Sequence, residues 1–335
     1  MAFKGLKIGL LAATTAAMLA GAQGVAAQEG KSITTVVKIS GIPWFDRMKT
    51  GVEKYAQEHP DMKIEQVGPA TADSAQQLQI VQDLVARGVD ALAVVPMDPA
   101  ILEGVLKRAM DRGIVVVTHE ADNQKNTMAD VEAFDNAEYG AALNERLAKC
   151  MGGKGKWTTF VGSLGSRTHM QWVGAGEENA KKYPDMELVD PNNESFDDAQ
   201  GTYEKAKEIL RKHPDIKGFQ TSAGNDVLGV GRAIEEAGLA GKVCLVGTGL
   251  PNPSAAYLDS GAITAIGFWD PQKAGMAMNS LATKILAGEE ITDGMDLGVD
   301  GYHSVSVRPG AGDGVLVVGN GMVLVDKDTY KETLF

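Results

Sequence analysis

The sequence predicts an α/β protein made of two doubly wound parallel-sheet domains in series. Three observations carry this. Short apolar runs alternate with segments of helical period along almost the whole chain. The turns between them are short, so successive strands run parallel and are joined by right-handed crossovers. The alternation breaks once, at ADVEAFDN (129–136), and then restarts as a second series of similar size.

The first strand lies within ITTVVKISGIPWFD (33–46), followed by Lys38, a Gly-Ile-Pro turn and two aromatics. Phe45, Met48, Val52 and Tyr55 recur at helical spacing, and Pro60 stops that helix. Met62–Val67 alternates as a second strand. Ser74 is the expected N-cap of a helix carrying Leu78, Val81, Leu84 and Val85, closed by Gly88. Ala91–Val95 is an unbroken apolar run, as in a strand buried on both faces. A helix over Ala100–Arg112 and a strand Ile114–Thr118 follow. The second series reads as helix 137–150, strand 157–161, helix 169–183, strand 186–189, helix 199–212, strand 216–220, helix 226–237 and strand 243–246. A short helix 253–259, a strand 263–268 and a helix 272–286 come next, and the valine- and glycine-rich tail 315–325 reads as edge strands.

The N-terminus reads as an export signal. Lys4 and Lys7 precede an apolar stretch (Ile8–Ala20), and Val25-Ala26-Ala27 is a small-residue cleavage site. We expect the cut between Ala27 and Gln28, and hence a periplasmic protein. Loss of the two lysines moves the formal charge from -12 to -14. So acidic a chain has no electrostatic basis for binding nucleic acid or an anionic membrane. Export permits a disulfide, but Cys150 reads as a helix end and Cys244 as a buried strand position; sequence disfavours a bridge and leaves it open, because partner geometry is not legible there.

Motifs for catalysis are missing. There is no phosphate loop, and neither Gly229-Val230-Gly231 nor Gly247-Thr248-Gly249 completes a dinucleotide fingerprint. Gly162-Ser163-Leu164-Gly165 lacks the spacing of a nucleophile elbow. His119-Glu120 has no second histidine at a helical offset, and the five histidines suggest no metal site. No catalytic residue, metal or cofactor is expected.

Binding residues, by contrast, collect at the turns. In open parallel sheets ligands sit beyond the carboxyl ends of the strands, and two such sheets can face each other across a cleft. Trp44, Trp172 and Trp269 lie at those turns. So do Lys38, Glu120, Asp122, Thr168, His169, Asn225, Asp226 and Asp270. Indole rings cover the C–H face of a ligand while polar groups order its hydroxyls. For Asn225-Asp226, helix capping is the competing role.

VVKISGIPWF (36–45), VVVTHEAD (115–122), THMQW (168–172), TSAGND (221–226), VGTGLPNP (246–253) and GFWDPQKAG (267–275) together resemble the periplasmic sugar-binding proteins of ABC importers. The chain is similar to the ribose-binding type, and within it to the rhamnose- and autoinducer-2-binding branch. The resemblance implies a type I periplasmic binding protein: two Rossmann-like lobes and a three-crossover hinge, with crossings near Phe134–Asn136, Phe268–Asp270 and Gly301–Ser304. The lobes would comprise residues 28–135 with 270–302, and 136–269 with 303–335. It implies no catalysis, a sugar or polyol ligand, and a monomer that docks on an ABC permease or a chemoreceptor. Lys38 and Asp270 match ligand-binding positions of the autoinducer-2 binders. Glu120 replaces an aspartate, Thr168-His169 an Asp-Gln pair, and Ser222-Ala223-Gly224 a Pro-x-Ala stretch. Those departures favour a monosaccharide, deoxysugar or sugar alcohol over autoinducer-2. The expected contacts are Lys38, Trp44, Phe45, Glu120, Asp122, Thr168, His169, Ser222, Gly224, Asn225, Trp269 and Asp270. A secreted carbohydrate-active enzyme is the rival from another class, and it lacks a positioned acid and base. A sugar-responsive repressor shares the fold but has no export signal.

Overall fold

The computed structural model describes residues 30–335, so the expected signal segment and its cut lie outside the described residues. β1 (Ser32–Val36) is almost wholly buried. It leads into α1 (Pro43–Glu58), which opens on a proline, where the missing N–H leaves no hydrogen bond unmade. β2 (Lys63–Val67) pairs with β1 at the sheet edge. α2 (Ser74–Arg87) is capped by Asp73 rather than Ser74, the Asp73 carboxylate accepting the Ala75 and Gln76 N–H groups. It ends at Gly88, whose φ of 75° favours glycine. β3 (Ala91–Val94), α3 (Pro99–Asp111), β4 (Val115–His119) and β5 (Ala129–Glu132) continue the series.

The chain then crosses to a second sheet. This is built from α4 (Asn136–Met151), β6 (Lys154–Val161), α5 (Arg167–Ala180), β7 (Asp185–Leu188), the two-residue β8 (Asn193–Glu194), α6 (Ala199–Lys212) and β9 (Ile216–Thr221). α7 (Asp226–Glu236), β10 (Cys244–Thr248), α8 (Pro251–Ser260) and β11 (Ala265–Phe268) complete its parallel core. α9 (Pro271–Leu286) returns to pack on α1 in the first lobe. β12 (Ser306–Pro309), β13 (Val315–Val318) and β14 (Val323–Asp326) close the chain. The strand orders are β12-β13-β5-β4-β3-β1-β2 and β14-β11-β10-β9-β6-β7. One buried apolar cluster runs through both lobes by way of Phe134 and Trp269.

One expectation is corrected by this topology. The third crossing does not fall at 301–304. β13 lies parallel to β5, with β12 antiparallel beside it, so both extend the first sheet; β14 pairs antiparallel with β11 in the second. The crossing is therefore at 319–322. Valine-rich edge strands look alike in sequence whichever sheet receives them, because the partner is chosen by tertiary packing. Cys150 and Cys244, whose pairing the sequence left open, form a disulfide, with Cα atoms 6.0 Å apart. α4 packs across β10, which brings the helix end over the first residue of the strand.

β5 carries two acids, Asp130 and Glu132, on one face, and both are buried. Burial pushes the Asp130 carboxyl up to about 7. Burial, with the neighbouring Asp130 charge, also pushes Glu132 well up. The folded state thus holds protons that the unfolded chain releases near pH 4. Their stabilising contribution is full below that pH and is lost as pH rises through about 7. Asp130→Asn removes the cost of ionising the buried group, so its melting temperature should gain on the wild type between pH 5 and pH 8. A constant offset across that range in a thermal melt series would refute this.

Candidate functional site

The carboxyl ends of the parallel strands of both sheets converge on one cavity of about 320 Å³, bounded by Lys38, Ile42, Trp44, Phe45, Glu120, His169, Trp172, Asp197, Ser222, Gly224, Thr248 and Trp269. That figure takes in open space at the mouth; the enclosed part is about 20 Å³, well below the roughly 300–1,000 Å³ typical of small-molecule sites, so the lobes are closed tightly over it. Lys38 follows β1, and Trp44 and Phe45 stand in the first turn of α1. Glu120 directly follows β4 at φ 58°, a left-handed conformation that costs a non-glycine residue about 1–3 kcal/mol and persists only where the surroundings enforce it. The second lobe supplies His169 and Trp172 from α5, Ser222 and Gly224 from the turn after β9, and Thr248 from the end of β10. Trp269 comes from the hinge.

The Lys38 ammonium and Glu120 carboxylate form an ion pair with side chains only 3% and 5% exposed. Burial pushes the Glu120 carboxyl up, but the Lys38 charge and hydrogen bond, together with the neighbouring His119 and His169, hold the group below its ordinary value. Thr168 reaches the same Glu120 oxygen across the lobes, at 3.4 Å. Nδ1 of His169 accepts the Gly162 N–H at 3.1 Å, which fixes the neutral tautomer with its proton on Nε2. Burial and the Lys38 charge hold its pKa down to about 3, so the ring is a neutral donor. A methyl group on Gly162 would lie 2.9 Å from that ring, so the close approach requires glycine.

The apolar walls are aromatic. Trp44 meets Trp269 edge-on with centroids 4.6 Å apart, and Trp172 lies 5.7 Å from Trp269. The Trp172 indole N–H donates to Asn136 at 2.7 Å. Among the described residues the buried Trp269 N–H has no hydrogen-bond partner, which leaves it a free donor beside the cavity its ring lines. Gly224 leaves room for Trp44 from the opposite lobe; a methyl there would sit 3.2 Å from the indole.

Eight of the twelve expected binding residues therefore line the cavity: Lys38, Trp44, Phe45, Glu120, His169, Ser222, Gly224 and Trp269. Thr168 is buried beside it, bonded to Glu120. The other three have different partners. Asp270 does not face the cavity: its carboxylate accepts two bonds from Arg47, at 2.9 and 2.7 Å, and one from the Gln272 N–H at 2.9 Å, capping α9. It lines a separate hinge cavity with Lys273, Asp300 and Tyr302. Trp269 borders both spaces, whereas Asp270 lines only the hinge cavity. Asp122 joins the lobes instead, accepting from Arg167 Nε at 2.6 Å and Gln171 Nε2 at 2.5 Å. Asn225 donates to the Asp197 carbonyl at 2.8 Å and so anchors that segment. Ile42, Asp197 and Thr248 were not expected. Trp172 was expected on the cleft side but not as a contact.

Two α/β lobes, crossed by the chain three times and closed over a small cavity with polar groups and aromatic walls, define a binding protein of the hinged, two-lobe kind. Residues 33–290 match the family described as the periplasmic binding protein domain, and the chain belongs to that family. It is thus a binding protein and not an enzyme, and the family implies export to the periplasm and service to an ABC permease. The D-ribose/D-allose-binding protein of Pseudomonas aeruginosa is 29% identical over 272 residues, covering 78% of this chain and 84% of that protein. Two solved structures share the fold. LsrB from Clostridium saccharobutylicum in complex with AI-2 has a TM-score of 0.82 at 22% identity, over 91% of this chain and all of that one. A solute-binding protein from Clostridium phytofermentas with bound L-rhamnose has a TM-score of 0.83 at 20% identity, over 90% of this chain and 98% of the other.

Proposed function

We propose that the protein captures a monosaccharide, deoxysugar or sugar alcohol between its lobes and delivers it to an ABC permease. The observation that carries this is the convergence on one small cavity of donors (Lys38, His169 Nε2, Trp269 Nε1) and acceptors (Glu120, Asp197) between aromatic walls. Hydroxyls both donate and accept, so a polyhydroxyl ligand can satisfy both sets. The ligands in the names of its relatives, D-ribose, D-allose and L-rhamnose, belong to the same class. A second reading, an AI-2 receptor, has the LsrB likeness in its favour; the His169 nitrogen committed to Gly162 and the longer Glu120 weigh against it. We further infer a mature chain beginning at Gln28, acting as a monomer that docks on the permease or on a chemoreceptor.

The test is a thermal-shift panel on the mature protein with pentoses, deoxyhexoses, pentitols and AI-2. A ligand at a hundredfold over its Kd should add about 2.7 kcal/mol of stability. A melting point that no sugar or polyol moves would defeat the reading, and a shift with AI-2 alone would establish the second.

A further inference from the structure

We infer that Asp197 sets the charge selectivity of the cleft, accepting hydrogen bonds from a neutral, hydroxyl-rich ligand and excluding the corresponding acid. The inference rests on the sugar or polyol reading above and assigns that site a residue on which its specificity turns.

Asp197 borders the cavity and is 8% exposed. Among the described residues its carboxylate has neither a hydrogen-bond donor nor an ion-pair partner; its hydrogen bonds are made by its backbone, to Ser195 Oγ and from Asn225 Nδ2. Glu120, the other cavity carboxylate, is already held by Lys38 and Thr168. A buried carboxylate without a donor is costly to keep, and so is the backbone that carries it. Phe196 and Asp197 sit consecutively in the left-handed region, at φ 54° and 55°. The Phe196 ring does not offset that strain by burial, since the residue is 54% exposed. What the turn achieves is to set Asp197 inside. Gly162 keeps the space open, because a methyl there would lie 2.9 Å from Asp197 Oδ2.

The charges then decide what enters. Lys38 is offset by Glu120, and burial keeps His119 and His169 neutral. Arg167, at the edge, is tied to Asp122. Behind Asp197 stands another acid, Asp226, bonded to the Ala223 N–H and Thr202. Burial pushes Asp197 up to about 6, so it is ionised at neutral pH. The lining therefore carries an unbalanced negative charge on buried residues, where a second anion is repelled more strongly than in bulk water. A hydroxyl-bearing ligand supplies the missing donors.

The experiment titrates wild type and Asp197→Asn calorimetrically at pH 7.5 with D-ribose, D-allose, L-rhamnose, D-arabinose and xylitol, and with D-ribonate and D-arabinonate as acids of the same skeletons. Wild type should bind at least one neutral member and neither acid. Asp197→Asn, nearly the same shape without the charge, should lose roughly tenfold to a hundredfold in affinity for the neutral ligand. Its preference for neutral over acid should narrow at least tenfold, and its unliganded melting temperature should equal or exceed that of wild type. Asp197→Ser provides a second uncharged side chain with the same expectation. Unchanged affinity and unchanged rejection of the acids in both variants would overturn the inference alone. A wild type that binds no neutral sugar or polyol would overturn the sugar reading, and the inference with it.

Discussion

Lys38→Met on its own lowers the free energy of unfolding by about 3–5 kcal/mol, because it leaves Glu120 ionised or freshly protonated in a site that solvent does not reach. The double variant Lys38→Met/Glu120→Gln regains most of that loss, since two neutral side chains of similar volume avoid the desolvation that the ion pair must overcome. Neither variant should show a ligand-induced thermal shift. Urea unfolding gives the first two quantities, and melting in the presence of ligand gives the third. A cost below about 1 kcal/mol for Lys38→Met would place the pair with ordinary surface salt bridges. Recovery in the double variant would show that the pair adds little net stability, as expected if it serves the recognition proposed above, and the left-handed backbone of Glu120 agrees with that.

Replacing Cys150 and Cys244 together by alanine should cost about 2–5 kcal/mol. The bond closes a loop with a sequence separation of 94, so it removes much freedom from the unfolded chain. It fastens the end of α4 to the start of β10, both in the second lobe. Reduction should therefore lower the melting temperature and leave ligand affinity within about twofold, as the cavity residues lie at the opposite ends of the strands. Paired unfolding curves with and without reductant measure the first effect, and a titration of the reduced protein the second. A melting point insensitive to reductant would show that the bond does not form.

The elements that could be read from sequence are those whose pattern is local. Apolar runs such as Ala91–Val94 and Val115–His119 are strands because nothing but a doubly covered sheet accepts them. The first βα turn declared Lys38, Trp44 and Phe45 through the turn chemistry of Gly41 and Pro43. Asp197 was hidden for a backbone reason. An Asp-Asp pair ahead of a helix reads as capping, and Asp198 does cap α6; only two successive left-handed residues turn its neighbour into the cleft. Asp270 misled in the opposite sense, because its fit to a ligand-binding position says nothing of Arg47, 223 residues away in sequence. The disulfide and the placement of the tail were hidden likewise, since each depends on which distant segments share a sheet.

The crossing at 319–322 bears on how the chain is made. β13 covers the open edge of β5 in one lobe, and four residues later β14 covers the edge of β11 in the other. Neither lobe is a continuous stretch of polypeptide. A chain that emerges amino-terminus first carries two unpaired edges until residues 315–326 appear, and unpaired edges invite other strands. Completion of both lobes is thus a late and nearly simultaneous event, decided by the last twentieth or so of the chain.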